Sequence, residues 1–447
     1  MFSREPNSAS ARFLHWSVLW LVFAVLMGLT AATKFIFPDF LAHTPWLAFG
    51  RLRPIHVNTI IFGWLQMGLA AAMLYIVPQL TRTRLYSEPL GHIACWLNNL
   101  IVAAGIITLA LGITQGKEYE EYVWPYLDLA MLLLLLLVAV NVFATIARRT
   151  EPQLYVSLWY FMGSLIWMPL LYGIGNFPFY SGVNDANVNW FYGHNLIGLW
   201  VTPLGVGIGY YLLPKTINAP LFSHRLSLLG FWTIALFYVW TGAHHLIYGP
   251  VPLWLQNVAI ISSLSMILPV VVVVLNVFLT MRGHWSAFRS ELSLRFLLIG
   301  MVAYMITCLQ GPLQSMRWLN AHIHFTNWVV GHAHLALLAA FSFVTFAAVY
   351  FILPRLTGRP WHSRRLGALH FWLTLLGAWL MVIDLTISGW DQGNLWFAFG
   401  GQGIGIVRAT WVYYLTRMLS GLFIVSGQLI FAFNVARSLR GRPAEAN

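Results

Sequence analysis

Six histidines lie within or beside strongly apolar stretches of this sequence, where polar side chains are costly and usually functional. They are His56, His194, His244, His245, His332 and His334. Imidazole is the commonest metal ligand among protein side chains, and converging imidazoles indicate metal or haem ligation. Because a single buried histidine is more often a hydrogen-bonded structural residue, only the set as a whole predicts a metal centre.

The spacing of these histidines separates them into two kinds of ligand. Two helical residues that are two positions apart point about 200° from each other, so His332 and His334 face opposite sides of their helix. They can therefore ligate two different haems that flank it. His244 and His245 are adjacent, about 100° apart, and can share one small metal. His194 would complete a set of three imidazoles.

A tyrosine lies close to the predicted metal site. Tyr238 precedes His245 by seven residues, which is nearly two helical turns, so an α-helix would place it on the same face and about 10 Å deeper. A lone tyrosine in a membrane helix usually serves packing. One beneath three histidines is a candidate proton and electron donor.

The composition predicts that lipid surrounds the elements that carry these residues. The chain has 447 residues, of which 59% are hydrophobic and 9% charged, whereas soluble domains carry about 25% charged residues. Since a helix needs about 20 apolar residues to cross a bilayer, we predict an all-α bundle that forms a single domain over residues 1–447. Its twelve predicted spans are 16–37, 54–78, 89–113, 124–147, 154–176, 189–213, 226–248, 255–280, 293–316, 325–353, 367–389 and 410–436. No internal repeat is evident.

The distribution of basic residues predicts the orientation of the bundle. With twelve spans, 18 of the 25 Lys and Arg residues fall in the N-terminal segment, the even-numbered connections and the C-terminal tail, which includes Arg442. Cytoplasmic segments carry such an excess, so both termini are predicted to be cytoplasmic. The same rule explains the net charge of +12 without nucleic acid as a partner. In this orientation all six histidines lie in the outer half of the bilayer, and this shared depth favours one cofactor site.

Several motifs resemble one family over nearly the whole chain. They are Arg51-Leu-Arg-Pro-Ile-His56, Thr114-Gln-Gly-Lys-Glu-Tyr119, Trp190-Phe-Tyr-Gly-His194-Asn, Tyr238-Val-Trp-Thr-Gly-Ala-His244-His245, Gln310-Gly-Pro312 and Gly331-His332-Ala-His334. Together they resemble the catalytic subunit of cbb3-type cytochrome c oxidases, within the haem–copper oxidases. The fold implied is the twelve-helix bundle of that subunit, in a bacterial inner membrane.

The resemblance implies a role for each matched residue. His56 and His334 would be the axial ligands of a low-spin haem b, and His332 the proximal ligand of a high-spin haem b3. His194, His244 and His245 would hold the copper ion CuB, with Tyr238 as a redox tyrosine cross-linked to His194. Arg51, Arg53 and His324 would bind haem propionates, although both arginines are also explained as outer-surface charges.

The implied activity is reduction of O2 to water, coupled to proton translocation. The sequence has no CxxCH motif for covalent haem attachment, so electrons would come from a membrane-anchored c-type cytochrome subunit or from soluble cytochrome c. The resemblance also implies a calcium ion at a subunit interface. Protons would rise from the cytoplasm past Ser227 and Tyr210, each of which has a packing or interfacial role as its simpler explanation.

Two other functions are open at this point. Nitric oxide reductases share the histidine plan but bind non-haem iron through a glutamate four residues after the span 6 histidine, where this chain has Gly198; they also lack Tyr238. Against the oxidase, Gln310 and Asn327 replace acidic residues of the family pattern, and Gln310 would alter the proton route because glutamine cannot titrate. A transporter is the third possibility, but it gives no reason for six histidines at one depth.

Overall fold

The computed structural model describes residues 3–400 and 403–440, and this part of the chain is helical without any strand. The end of the predicted cytoplasmic tail, with Arg442, lies outside the described residues. Twelve helices are long and apolar enough to cross a membrane, which confirms the predicted number. They are α1 (Ser8–Ile36), α2 (Phe49–Thr81), α3 (Glu88–Leu111), α4 (Tyr126–Ala147), α5 (Val156–Asn176), α6 (Gly182–Ile217), α7 (His224–Leu246), α8 (Leu253–Thr280), α9 (Leu292–Ser315), α10 (Asn327–Thr357), α11 (Arg364–Ala398) and α12 (Trp411–Arg440).

Several helices extend beyond the predicted spans. Helix α6 covers 36 residues and α11 covers 35, whereas the sequence predicted 189–213 and 367–389. Apolar runs mark only the part of a helix that lies in hydrocarbon. The polar ends continue as helix outside that layer, where hydropathy gives no signal.

Three helices form the interior of the bundle. In α2, α6 and α10 the most apolar stretch is 94%, 94% and 89% buried, while no other membrane helix exceeds 61%. These three inner helices carry His56, His194, His332 and His334. The ligand candidates are therefore surrounded by protein on all sides, and the other helices separate them from lipid.

Each inner helix changes its winding directly after its histidines. A π-helical segment covers Thr59–Leu65 in α2, Leu196–Val201 in α6 and Leu335–Ser342 in α10. A π-turn contains one residue more than an α-turn and is frequent at functional sites. The segments shift the register between the histidine-bearing outer half of each helix and its cytoplasmic half.

Helix α7 departs from the regular α-helix that the sequence predicted over 226–248. It is α-helical over His224–Phe237 and continues as 3₁₀ turns at Tyr238–Trp240 and Gly242–Leu246. Gly242 makes this possible because a Cβ there would lie 2.6 Å from the Trp190 carbonyl oxygen. The close approach brings the two ends of α6 and α7 that carry histidines together.

The helix ends on the side that the basic residues predict to be cytoplasmic contain a repeated hydrogen-bond motif, which the sequence did not reveal. At the start of three peripheral helices, α3, α7 and α11, a serine hydroxyl accepts a hydrogen bond from the backbone N–H three residues on. Each time, a buried asparagine on the following helix accepts from that serine's N–H and donates to its carbonyl. We call these pairs the cytoplasmic clips: Ser87–Asn141, Ser223–Asn276 and Ser363–Asn434. The repeat was missed because so few residues carry it.

Candidate functional site

Three histidines from α6 and α7 form a compact cluster at the outer end of the bundle. One ring nitrogen from each of His194, His244 and His245 lies within 4.8 Å of the others. The His194 Nδ1 and His245 Nε2 atoms are 2.9 Å apart, and the rings of His194 and His244 are nearly perpendicular. Three converging imidazole nitrogens fit a copper ion.

Neighbouring side chains fix the orientation of two of these rings. The His244 Nδ1 atom lies 2.6 Å from the Ser263 hydroxyl oxygen, which itself donates to the Ala259 carbonyl. The His245 ring stacks on Trp190 with centroids 3.8 Å apart and planes 6° apart. Metal-binding histidines commonly have their second nitrogen and ring plane held in this way.

Tyr238 lies beside the cluster, as the sequence predicted, although the geometry differs. Because the 3₁₀ turns replace α-helix, its neighbour is His194, with ring centroids 5.2 Å apart. A Cβ at Gly198 would overlap the Tyr238 ring. The tyrosine therefore occupies the space into which any side chain at position 198 would project.

His332 lies on the other side of this cluster. It is close enough to interact electrostatically with all three imidazoles. Its Nδ1 atom is 3.0 Å from the Gln310 Oε1 atom, and Gly311 leaves space beside its Cε1 and Nε2 atoms. With Nδ1 engaged, the Nε2 atom would be available to hold a haem iron.

His56 and His334 border a cavity of 560 Å³ that extends from α1, α2, α10 and α12 to His244 and His245 on α7. The Nδ1 atom of His56 lies 2.8 Å from the Ala24 carbonyl oxygen, and that of His334 lies 2.8 Å from the Val330 carbonyl oxygen. Both Nε2 atoms are therefore free for a metal. Gly28 lies against the His56 ring, where a Cβ would be 2.7 Å away. These residues fit a bis-histidine haem.

The three predicted propionate ligands are placed differently. Arg53 lines the cavity and forms a 2.5 Å ion pair with Glu118. His324 also lines it, and burial lowers the pKa of His324, so its neutral ring could donate one hydrogen bond. Arg51 is directed elsewhere and donates to the Ala110 carbonyl at 2.7 Å.

Arg417 is a cavity residue that the sequence reasoning missed. It lines the same cavity as His56 and His334 and lies over the Phe35 ring at 5.2 Å. It also interacts electrostatically with Asp384 on α11. An arginine inside an apolar span was a signal, because such residues are usually functional.

Two of the predicted proton-path residues, Ser227 and Tyr210, lie close together near the side predicted to be cytoplasmic. Tyr160 connects them. The Tyr160 hydroxyl donates to the Ser227 carbonyl at 3.3 Å, and its ring contacts that of Tyr210. Tyr304 was not predicted, yet it is buried and interacts with Tyr160, Tyr210 and Tyr238. It therefore lies between these residues and the metal cluster.

Gln310 is not part of that group, because it contacts His332 near the outer end of α9. The loop 116–122, which connects α3 to α4, is not a fully solvated surface. Glu120 and Glu121 are buried. Burial raises the pKa of Glu121 to about 7 and that of Glu120 well above its usual range.

Comparison with known proteins agrees with this geometry. A profile of the family described as Cytochrome C and Quinol oxidase polypeptide I matches residues 8–423. The chain is 32% identical to the Cbb3-type cytochrome c oxidase subunit CcoN1 of Stutzerimonas stutzeri, over 97% of this chain and 95% of that protein. It is also 32% identical to a Cytochrome c oxidase subunit 1 homolog of Agrobacterium tumefaciens, over 96% and 83%.

More distant matches define the limits of this likeness. A nitric oxide reductase subunit of Stutzerimonas stutzeri is 21% identical over 98% of this chain and 96% of that protein. The cryo-EM structure of a heme-copper terminal oxidase dimer has the same fold, with a TM-score of 0.77 at 14% identity over 99% of this chain and 86% of that one. The chain is therefore a multi-pass membrane protein that belongs to the cytochrome c and quinol oxidase polypeptide I family, on its cbb3-type branch.

Proposed function

We propose that this chain is the catalytic subunit of a terminal respiratory oxidase that reduces O2 to water and translocates protons. The observation that carries this proposal is the contact between Tyr238 and His194 beside three converging imidazoles. It supplies a copper site with a proton donor next to it. The relatives at 32% identity are named as cytochrome c oxidase subunits.

The residues would divide the cofactors as follows. His56 and His334 would hold a low-spin haem b, His332 a high-spin haem b3, and the three-histidine cluster CuB. When bound, the iron and copper supply the redox chemistry, while the chain supplies ligands, orientation and electrostatics. Arg53, Arg417 and His324 line the haem cavity and would bind its anionic substituents, because guanidinium groups pair well with carboxylates. Arg51 has no such position, which makes it the weakest of the proposed cofactor ligands.

Tyr238 would deliver a proton from its hydroxyl to the reacting oxygen. Its ring is buried between Gly198 and His194, so water does not compete with the substrate for that hydroxyl. Protons would reach it from the cytoplasm past Ser227, Tyr160 and Tyr210, and then past Tyr304. This order follows three observations: the hydrogen bond from the Tyr160 hydroxyl to the Ser227 backbone carbonyl, the contact between the Tyr160 and Tyr210 rings, and the electrostatic interactions of Tyr304.

Nitric oxide reduction is the principal alternative, and position 198 argues against it. An iron site of that kind needs a carboxylate oxygen at this position. Here a side chain of any size would overlap Tyr238. The Tyr238 ring thus supports the copper site, and it occupies the space that a glutamate at position 198 would need.

The electron donor would be another protein. A membrane-anchored c-type cytochrome subunit or a soluble cytochrome c fits the absence of a CxxCH motif from the sequence. Arg53 and Glu118 lie at the outer end of the haem cavity, which is the side from which electrons would arrive. Calcium at a subunit interface stays a prediction.

The test is to purify the complex and measure copper, haem and gas consumption on one sample. We expect one copper for every two haem b irons, and rapid O2 uptake. Tyr238→Phe should lower O2 turnover at least ~100-fold, since a positioned proton donor contributes about 10²–10⁴-fold. The haem spectrum should be unchanged.

Tyr75→Phe is the matched control, because Tyr75 is also buried in an inner helix but lies away from the cluster. It should retain O2 turnover. Non-haem iron in place of copper, together with NO consumption, would identify a reductase. Absence of a haem absorption band would exclude both enzymes and support a transporter.

A further inference from the structure

The bond between His332 and Gln310 distinguishes His332 from the other proposed iron ligands. The Nδ1 atoms of His56 and His334 face backbone carbonyls, which no substitution can remove. The Nδ1 atom of His332 instead faces a side chain of another helix, the Gln310 carboxamide oxygen, at 3.0 Å. This contact can therefore be changed without changing the ligand.

The chemistry of the acceptor decides how strongly the imidazole donates electrons. An acceptor at Nδ1 polarises the N–H bond, and the opposite nitrogen becomes a better donor to the metal. A charged acceptor does so more strongly than a neutral one. A carboxamide leaves the Nδ1 proton on His332, so the ring remains a neutral imidazole of moderate basicity.

Among the described residues, no ion pair brings a carboxylate to this contact. The ion pairs of the described residues are Arg53–Glu118, Arg53–Glu121, Arg82–Glu151 and Lys117–Asp185, and none of them includes His332 or Gln310. Leu309 and Leu313, which flank Gln310 on α9, are exposed at the periphery of the bundle. The polarity of the contact is thus set by the side chain at position 310.

We propose that Gln310 is a positioning residue that tunes the reduction potential of the iron held by His332. The inference rests on the proposed function, since it requires a haem on that histidine. A neutral acceptor stabilises the ferric iron less than an anionic one would, because the imidazole donates less electron density. Gln310 therefore holds this iron at a higher potential than a glutamate would.

The experiment compares Gln310→Glu and Gln310→Leu in the purified complex. Spectroelectrochemical titration follows the high-spin haem, and resonance Raman spectroscopy gives the iron–histidine stretching frequency of its ferrous form. Gln310→Glu should favour the ferric form about tenfold, equivalent to ~59 mV for one electron, and raise the stretching frequency. Gln310→Leu removes the acceptor and should shift both quantities in the opposite direction.

The low-spin haem is the internal control, because the Nδ1 partners of its ligands are unchanged. Gln256→Glu is the matched variant, since it adds a carboxyl group to α8 at a buried position and should leave the stretching frequency unchanged. If Gln310→Glu does not assemble, Gln310→Asn replaces it, because its shorter side chain withdraws the acceptor and should behave like Gln310→Leu.

Equal shifts of both haems, or an unchanged stretching frequency in every position-310 variant, would overturn the proposal. A failure of the proposed function is separate and visible beforehand. Non-haem iron in place of copper would overturn the proposed function and would still leave an iron–histidine band to compare among the position-310 variants. A complex with no high-spin haem would show no such band and would overturn both.

Discussion

At the scale of single residues, four of the six site histidines have one ring nitrogen held by another group of the chain. Carbonyl oxygens hold His56 and His334, a hydroxyl holds His244, and a carboxamide holds His332. Fixing one nitrogen fixes the tautomer and leaves the other free for the metal. The ligand set is therefore oriented by the chain itself.

The carboxyl group of Glu121 leads to a pH-dependent prediction. Burial raises its pKa to about 7 from 4.5. The folded protein thus favours the protonated acid. Ionisation of Glu121 therefore destabilises the fold increasingly as the pH rises from 4.5 to about 7, and this destabilisation reaches its full size above pH 7. Glu121→Gln removes this destabilisation. The stability difference between variant and unmodified protein should therefore rise from pH 5 to about pH 7 and stay constant beyond it.

The measurement is the midpoint of thermal loss of the haem absorption band across this pH range. Glu151→Gln is the control, because Glu151 pairs with Arg82 on the cytoplasmic side. Its effect should not follow the same pH curve. A Glu121→Gln effect that is equal at every pH would show that the group does not titrate in this range.

Residue types predicted much of the site. The six histidines and Tyr238 were found from sequence because polar groups in apolar spans have few structural explanations. Arg417 was overlooked because its partners come from α1 and α11, and such pairings are not visible along one helix. Arg51 and Arg53 look equivalent in sequence, yet only the structure shows that Arg53 alone lines the cavity.

At the scale of elements, irregular winding brings the ligands together. The 3₁₀ turns at the end of α7 depend on Gly242, which packs against the backbone of Trp190 and Phe191. Gly242→Ala should push α7 away from α6, because backbone atoms cannot yield as a flexible side chain can. We expect loss of copper with the low-spin haem retained, and destabilisation of about 1–3 kcal/mol, typical of overpacking.

Metal analysis and the low-spin haem spectrum check this prediction on one preparation. Gly50→Ala is the matched control, because a Cβ there meets nothing within 4 Å. It should retain both cofactors. Full copper content in Gly242→Ala would mean that the close approach is not required for the three-histidine cluster.

Hydropathy predicted the number and order of the helices but not their winding. Regular α-helix was assumed throughout, and this error placed Tyr238 two turns from His245 on one face of α7. Its position beside His194 was expected only from the family resemblance. The π segments of α2, α6 and α10 were equally hidden. The same types of apolar residue occur in π-turns and α-turns, so hydropathy cannot distinguish them, and packing against neighbouring helices selects between them.

At the scale of the whole molecule, the three cytoplasmic clips join α3 to α4, α7 to α8 and α11 to α12. Their asparagines are at most 1% exposed. Replacing any one of Asn141, Asn276 and Asn434 by alanine leaves the serine N–H without a partner, which costs about 1–3 kcal/mol. The serine carbonyl still accepts from the backbone N–H four residues on, that of Gly91, Ser227 or Gly367.

We therefore expect all three alanine variants to lower the thermal midpoint by similar amounts while the haem spectra and copper content stay unchanged. Differential scanning fluorimetry and absorption spectra measure the two effects. Asn257→Ala, at an exposed position near Arg317, should have little effect. A spectral change in any clip variant would indicate that the clips also shape the cofactor site.

The position of the clips also bears on how such a protein is assembled in the cell. They consist only of serine, asparagine and backbone atoms at the cytoplasmic ends, whereas every proposed ligand lies in the outer half. Newly inserted helices can therefore complete their pairing at one membrane face before any haem or copper arrives. We therefore expect a chain that lacks its cofactors to keep these three helix pairs joined at that face.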